Sequence, residues 1–193
     1  MPTDRPIVGF VGSYCVRKGI DILLEACSKL RNINFHIVLL GDGDIQWVKS
    51  LIDKFNLDDK VSMYPFQDPV KFYSIFDIFV LPSRKEGFGL VSIEAMMMGV
   101  PTIRSNVEGA SDQIENGING YIFENENPIE LSKYISLLVQ NKKLRKDIGG
   151  KGTIIAINKF SEDIMMDKLI QVYKEAIRMG SKNQKVKPEK KYS

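Results

Sequence analysis

The stretch FHIVLL, residues Phe35–Leu40, carries apolar side chains at nearly every position. A strand that is apolar on both faces is typical of a parallel sheet covered by helices on both sides. Before it, Lys18–Arg31 repeats its apolar residues on one helical face, which predicts an amphipathic helix. An earlier apolar run, Ile7–Ser13, reads IVGFVGS and predicts another strand. These three segments together predict a β-α-β unit.

The same alternation of strand and helix patterns continues to the end of the folded part. Further strands are predicted at Val61–Tyr64, Asp77–Leu81, Val100–Arg104 and Gly120–Phe123, and helices at Ile45–Phe55, Asp68–Phe76, Gly89–Met98, Ala110–Glu115, Pro128–Gln140, Lys142–Asn158 and Glu162–Arg178. Strands separated by helices of this length indicate parallel pairing through crossover helices. The predicted fold class is therefore α/β: a Rossmann-like, doubly wound parallel sheet of about six strands with helices on both faces.

Composition agrees with a globular protein. The chain has 193 residues, of which 44% are hydrophobic and 26% charged, and this excludes a disordered or fibrous protein. No apolar run approaches the roughly 20 residues that a membrane-spanning helix needs. Two cysteines, Cys15 and Cys27, make no disulfide framework, which favours a reducing compartment. We expect a cytoplasmic protein, with peripheral binding at the inner face of the membrane as the alternative.

The net charge of +3 is concentrated at the carboxyl terminus. Residues 181–193 hold five lysines and one glutamate, a balance of +4, so residues 1–180 carry −1. A near-neutral folded part excludes a general nucleic-acid-binding surface. The sequence predicts a nucleotide-binding domain over 1–180 and a basic, disordered tail over 181–193. That tail is a solvated end or an arm for a membrane surface or a partner.

The fold class predicts where a ligand binds. In the commonest doubly wound order the first and fourth strands are neighbours, and ligands bind beyond their carboxyl ends. The first strand leads into Gly12–Gly19 and the fourth into Pro82–Gly89, two polar loops that contain glycines. We therefore expect these two loops to form the binding site.

Three features of the loops favour an anionic ligand. Gly87 and Gly89 flank the start of the helix over Gly89–Met98, where exposed amides and the positive end of the helix dipole attract anions. Arg17 and Lys18 lie at the predicted start of the first helix, where the dipole disfavours a cation unless an anion lies between. Arg84 and Lys85 repeat this arrangement in the second loop. Glycines and basic residues are also ordinary in surface loops, and that interpretation stays open.

Glu94 lies within GLVSIEAMMM, a helix that is apolar on nearly every side. An unpaired carboxylate buried there would be costly. We therefore expect Glu94 to face water, a cation or a ligand hydroxyl. A ribose diol suits an ionised carboxylate, which only accepts hydrogen bonds. The alternative is a solvated glutamate on one exposed stripe of the helix.

A series of motifs now identifies a family resemblance. They are Gly12…Lys18-Gly19, Leu39-Leu40-Gly41-Asp42-Gly43, Asp77–Ser83, Glu86–Met96, Gly99-Val100-Pro101 and Asn116–Gly120. In this order they resemble the carboxy-terminal, nucleotide-sugar-binding domain of the group 1 (family 4) retaining glycosyltransferases of GT-B fold. The resemblance covers about residues 7–178, and the two glutamates of the PSxxEGFG…EAM segment are its most specific part.

The resemblance implies roles for particular residues. It implies that Lys18 contacts the diphosphate of a UDP-, GDP- or ADP-sugar donor, that Glu94 contacts the ribose hydroxyls, and that Glu86 contacts the transferred sugar. Glu86 and Lys18 are the implied catalytic residues, with electrostatic stabilisation of the leaving diphosphate as the mechanism. The implied donor-binding set is Gly12, Ser13, Arg17, Lys18, Phe66, Gly87, Phe88, Gly89, Leu90, Val91 and Glu94. No metal and no further cofactor are implied.

This chain departs from the family pattern at several positions. Ser13 stands where an arginine is common, Pro65 and Glu108 stand where glycines are usual, and Asp112 replaces a usual glutamate. The resemblance also implies an amino-terminal acceptor domain that lies outside this chain. The expected function is the donor-binding part of a glycosyltransferase that builds a glycan or polysaccharide or modifies a lipid-linked acceptor, inactive alone. The alternative is a non-catalytic nucleotide-binding or scaffolding module of the same fold.

Other constellations favour structural interpretations. Asp42-Gly43-Asp44 has the spacing of a metal-binding D-x-D motif, but glycine and aspartate after a strand are first of all turn residues. Glu86 and Glu94 are not placed like a glycosidase pair, whose carboxyl groups flank the sugar. The single histidine, His36, lies in a predicted buried strand, where a structural role is expected.

Overall fold

A computed structural model describes residues 5–184 of the chain. The chain divides into two compact units, the first ending at Ala156 and the second beginning at Ile157. The boundary predicted at residue 180 does not coincide with this division. The last described helix, Glu162–Gln184, continues through the first residues of the predicted tail, and residues 185–193 lie outside the described residues.

The described elements follow the predicted alternation closely. The strands are β1 Ile7–Val11, β2 His36–Leu40, β3 Val61–Tyr64, β4 Ile78–Leu81, β5 Thr102–Ser105 and β6 Gly120–Phe123. The helices are α1 Ile20–Ser28, α2 Ile45–Phe55, α3 Val70–Tyr73, α4 Leu90–Met97, α5 Ala110–Gln113, α6 Pro128–Gln140, α7 Lys142–Phe160 and α8 Glu162–Gln184.

The strands of the first unit form one parallel sheet in the order β3-β2-β1-β4-β5-β6. Strand β1 pairs with β2 on one side, where Gly9 is opposite Val38, and with β4 on the other, where Gly9 is opposite Phe79. The chain order reverses direction between β1 and β4. The α/β doubly wound prediction is confirmed, including the neighbouring first and fourth strands.

Both faces of the sheet are covered. Along β1 the side chains of Val8 and Phe10 point into a core shared with α1 and α6, whereas Ile7 and Val11 point into a second core on the opposite face. Alternation along a strand sends successive side chains to opposite faces, so a strand buried on both sides has to be apolar throughout. Burial of each large apolar side chain contributes about 2 kcal/mol.

The first helix begins two residues later than predicted. Val16–Lys18 forms a separate 3-10 turn, and α1 starts at Ile20 after Gly19, whose φ is 68°. A β-carbon on Gly19 would lie 1.9 Å from the carbonyl oxygen of Pro82. Only glycine permits both the left-handed backbone and this close approach. The prediction that Arg17 and Lys18 begin the helix is therefore wrong, and both precede it.

His36 has the structural role expected for it. Its side chain is buried at the start of β2, and Nε2 lies 2.9 Å from Oγ of Ser62 on the neighbouring strand. Within residues 5–184, no helix combines the length and the apolar character that crossing a bilayer requires.

Candidate functional site

The two loops that the sequence singles out lie side by side beyond β1 and β4. The backbone N–H of Arg84 donates to the carbonyl oxygen of Arg17 at 2.8 Å. The guanidinium of Arg84 also donates to the carbonyl oxygen of Val16 at 2.6 Å. These bonds fix the 3-10 turn against the loop after β4. The turn is therefore held in position from outside as well as by its own short-range bonds.

Arg84 itself does not present a free charge to this edge. Its two terminal nitrogens bind the Asp21 carboxylate at 2.8 and 2.7 Å, and Nε binds Glu126 at 2.7 Å. The interpretation of Arg84 as an anion-binding group is corrected by this pairing, because two carboxylates already neutralise it. Arg17 is exposed, and its guanidinium donates to the carbonyl oxygen of Lys85 at 3.3 Å.

Lys18 and Glu86 form a close ion pair across the two loops. Nζ of Lys18 lies 2.6 Å from Oε2 of Glu86, and the side chains are only 13% and 11% exposed. The hydroxyl of Ser83, at the end of β4, donates to the same carboxylate oxygen at 3.2 Å. A pair so well shielded from water is stronger than one on an open surface.

The carboxylate of Glu86 is held in its ionised form. Burial by itself raises the pKa of Glu86, but the hydrogen bond and charge of Lys18, with donors from Ser83 and the Gly87 backbone, outweigh that effect and lower the pKa. Hydrogen bonds to a carboxylate stabilise its charged state. At neutral pH this site therefore holds a fixed negative charge next to a fixed positive one.

A hollow of about 330 Å³ opens beside this ion pair and is lined by Lys18, Glu86, Phe88, Gly89, Leu90 and Val91. Gly89 precedes the first residue of α4, has φ of 78°, and supplies no side chain to cap the helix. The amides of the first turn of a helix lack intrahelical acceptors and lie at the positive end of the helix dipole. The hollow thus combines an ammonium group with amides of a kind that bind anions.

Glu94 lies one helical turn after Leu90, on an exposed face of α4. Residues four apart share a face of a helix, so Glu94 follows the lining of the hollow along α4. Its carboxylate is exposed and accepts a 2.8 Å hydrogen bond from the hydroxyl of Tyr73. Burial and the neighbouring Glu94 carboxylate raise the pKa of Tyr73, so its phenol remains a donor. Of the expected surroundings for Glu94, water is the one that the structure shows.

The remaining predicted residues lie at the same edge of the sheet. A β-carbon on Gly12 would lie 3.8 Å from the Lys18 side chain, which places Gly12 beneath that lysine. Ser13 is exposed in the same loop. Phe66 is 58% exposed in the loop after β3, and its N–H donates to Oδ1 of Asp42 at 3.3 Å. The structure therefore brings Gly12 together with the ion pair, whereas Phe66 lies two strands away from β1.

The D-x-D segment has structural contacts. Asp44 caps α2 by accepting a 2.9 Å hydrogen bond from the backbone of Trp47, and Asp42 accepts from Phe66. These are the capping and turn contacts that aspartate commonly makes. In the part of the chain that the structure describes, no three histidine, cysteine or acidic side chains are grouped closely enough to hold a metal ion.

A family model described as glycosyl transferases group 1 matches residues 1–154. The chain belongs to this family. Three similar proteins illustrate how this group 1 glycosyltransferase chain relates to known ones. The capsular polysaccharide biosynthesis glycosyltransferase CapM of Staphylococcus aureus is 33% identical over 175 residues, which cover 88% of this chain and 46% of CapM.

Two solved structures are also similar to this glycosyltransferase chain. A glycosyltransferase of Rickettsia africae is 30% identical with a TM-score of 0.84, over 91% of this chain and 49% of that one. A TarM variant of S. aureus, crystallised with fondaparinux, α-GlcNAc-glycerol and UDP, is 30% identical with a TM-score of 0.81, over 88% of this chain and 35% of that one. The chain spans about half the length of the curated relatives it matches.

Three polar residues of this glycosyltransferase chain were not singled out in the sequence. Tyr73 binds Glu94, while Arg104 and Gln113 form a buried cluster beneath Phe88. A signal did exist for one of them, because Arg104 is a charged residue inside the predicted strand Val100–Arg104. A buried charge requires hydrogen-bond partners, so its position predicts a polar cluster but not the identity of its members.

Proposed function

We propose that this chain is the donor-binding part of a retaining glycosyltransferase that transfers a sugar from a nucleoside diphosphate sugar to a glycan or lipid-linked acceptor. One observation carries the proposal: the Lys18–Glu86 pair and the first turn of α4 line the same hollow. We place the acceptor site outside this chain, which spans about half of its curated relatives.

The cationic side of the hollow suits the diphosphate. Lys18 and the amides of Leu90 and Val91 lie around it, and both kinds of donor stabilise phosphate oxygens. When the bond between the sugar carbon and the phosphate oxygen breaks, its electron pair remains on the diphosphate. Groups already oriented toward that growing negative charge lower the barrier without reorganising at the moment of reaction.

The two glutamates suit the neutral, hydroxyl-bearing parts of the donor. Glu86 is ionised and accepts hydrogen bonds, so it orients the transferred sugar beside the scissile bond. Glu94 is exposed on α4 and is positioned by Tyr73, which suits it to the ribose diol. The separation of roles follows the distance along α4 from its first turn to its second.

The similarity to the UDP-bound TarM variant supports nucleotide binding and makes UDP the first ligand to test. Isothermal titration calorimetry with UDP, GDP, ADP and their glucose conjugates should reveal binding of at least one of them. The Lys18→Met variant should bind that ligand at least about tenfold more weakly, since a charge-assisted hydrogen bond contributes about 1.5–3 kcal/mol.

Lys151→Met is the matched control, because Lys151 forms an exposed ion pair with Asp147 at 2.7 Å on α7. We expect it to bind as the unchanged protein does. If no ligand binds at millimolar concentration, or if Lys18→Met and Lys151→Met bind equally well, the proposal is contradicted.

A further inference from the structure

Arg104 is a fully buried cation in β5, in the short sequence TIRS. Removing a charge from water costs several kcal/mol unless hydrogen bonds compensate for the lost hydration. Burial lowers the pKa of Arg104, and the negative charges of Glu86 and Asp112 oppose that effect. A guanidinium remains protonated in proteins, so a permanent positive charge lies under the candidate site.

The guanidinium of Arg104 joins two loops through backbone carbonyl oxygens. Nη1 donates to Phe88 and Gly109 at 3.4 Å each, and Nη2 donates to Glu108 at 3.1 Å. Nη1 also contacts the side-chain oxygen of Gln113. The loop before α4 and the loop before α5 are therefore held by one rigid planar group.

Gln113 completes the cluster from α5. Its Nε2 donates to the carbonyl oxygen of Phe88 at 2.5 Å, while its Oε1 accepts from the hydroxyl of Ser92 at 2.8 Å. The Phe88 carbonyl therefore receives hydrogen bonds from both Gln113 and Arg104. With two donors on the buried side, the orientation of the peptide between Phe88 and Gly89 is fixed.

A fixed peptide determines where its N–H points. In a trans peptide the C=O and N–H bonds point in opposite directions, and the described residues contain no cis bond. The Phe88 oxygen faces the buried cluster, so the N–H of Gly89 faces away from it. That direction leads to the hollow that Phe88, Gly89 and Leu90 line.

We propose that Arg104 and Gln113 are positioning residues that hold the Gly89 amide toward the hollow, where it binds a phosphate oxygen of a nucleoside diphosphate. This inference rests on the proposed function. Neither side chain touches the ligand, since both lie on the buried side of the Phe88 peptide. Their effect is confined to the phosphate part of the donor and leaves the nucleoside part unchanged.

Methionine at position 104 separates positioning from folding. Its length is similar, and replacing a buried charge with an apolar residue is often neutral for stability. Calorimetry on the full chain should show that Arg104→Met weakens UDP, GDP or ADP, whichever binds, by about tenfold while the affinity for the matching nucleoside stays the same. Hydrogen exchange should accelerate in peptides covering residues 86–92.

Arg145→Met provides the matched control. Arg145 is also a buried arginine; it donates to the carbonyl oxygens of Leu138 and Val139 at 2.7 and 2.8 Å and pairs with Asp77 at 3.2 Å. Asp77 precedes β4, at the opposite end of the strand from the hollow. This variant should unfold at a lower temperature yet bind both ligands normally and leave exchange in residues 86–92 unchanged.

Arg104→Lys and Gln113→Met cover the case in which Arg104→Met does not fold. Lysine keeps the charge but cannot join the same carbonyl groups, so it should weaken diphosphate binding as well. Equal loss of nucleoside and diphosphate affinity, or unchanged exchange in residues 86–92, overturns the proposal. If the unchanged protein binds no nucleotide, the proposed function and the phosphate role both fail, and exchange still decides whether Arg104 orders the loop.

Discussion

Nζ of Lys18 lies 2.6 Å from Oε2 of Glu86, although the two residues are 68 positions apart in the chain. The contact is possible because β1 and β4 are neighbours, so the loops that follow them meet at one edge of the sheet. Each residue alone would be an ordinary charged group in a polar loop. Together they form a shielded pair beside the amides of α4, and a diphosphate that binds Lys18 has to share it with Glu86.

The first prediction concerns the pH dependence of stability. Glu86 has a lowered pKa in the folded protein, so its contribution is present above the unfolded value of about 4.5 and is lost as the pH falls through the lower, folded pKa. Urea unfolding between pH 7 and pH 3 should therefore show a loss of free energy in this acidic window that Glu86→Gln reduces.

Glu25→Gln is the comparison for this prediction. Glu25 pairs with Lys29 at 3.3 Å within α1, and both side chains are about 40% exposed. Exposed pairs of this kind contribute about 0.3–0.5 kcal/mol. Its pH profile should follow that of the unchanged protein. A Glu86→Gln profile that falls as steeply in acid as the unchanged protein would contradict the assignment.

The second prediction concerns Arg84 as a brace for the turn that carries Lys18. Arg84→Met removes the two-pronged bond to Asp21 and the bond to the Val16 carbonyl oxygen. We expect a loss of about 1–3 kcal/mol in the free energy of unfolding, because hydrogen bonds between charged groups contribute that much. Hydrogen exchange should also accelerate in residues 14–20. Lys29→Met, which breaks only an exposed pair, should change the free energy by less than about 0.5 kcal/mol.

The sequence predicts the fold well because apolar periodicity repeats over each segment. Strand β3 and helices α2 and α6 have the predicted bounds. Where a boundary shifts, one residue explains it: Gly19 ends the 3-10 turn and begins α1, since its left-handed φ and its distance to Pro82 depend on the tertiary fold. Local pattern contains no information on that approach.

The site is only partly predictable for the same reason. Lys18 and Glu86 follow from the strand order, since each lies beyond the carboxyl end of a central strand. The pairing of Arg84 with Asp21 joins residues 63 positions apart, and that of Gln113 with Phe88 joins residues 25 apart. Whether a basic side chain faces a ligand or a carboxylate is decided by such contacts, which no spacing rule specifies.

The third prediction concerns the contact between Tyr73 and Glu94. Tyr73→Phe removes the 2.8 Å hydrogen bond that positions the Glu94 carboxylate but keeps the buried ring. We expect nucleoside affinity to fall by about three- to tenfold, close to the value of one hydrogen bond, and Glu94→Ala to weaken it further. Tyr134→Phe is the control, because Tyr134 donates to Glu130 at 3.3 Å within α6. Equal affinities of the Tyr73→Phe and Tyr134→Phe variants would argue against a ribose role for Glu94.

The fourth prediction separates a glycine that the fold requires from one that it does not. A β-carbon on Gly19 would lie 1.9 Å from the Pro82 carbonyl oxygen, whereas one on Gly87 would meet no atom within 4 Å. Gly19→Ala should lower the free energy of unfolding by about 2–4 kcal/mol, from backbone strain and steric overlap together. Gly87→Ala should leave it within about 0.5 kcal/mol. Chemical denaturation measures both, and a destabilised Gly87→Ala would show that the loop before α4 packs more tightly than its open surroundings indicate.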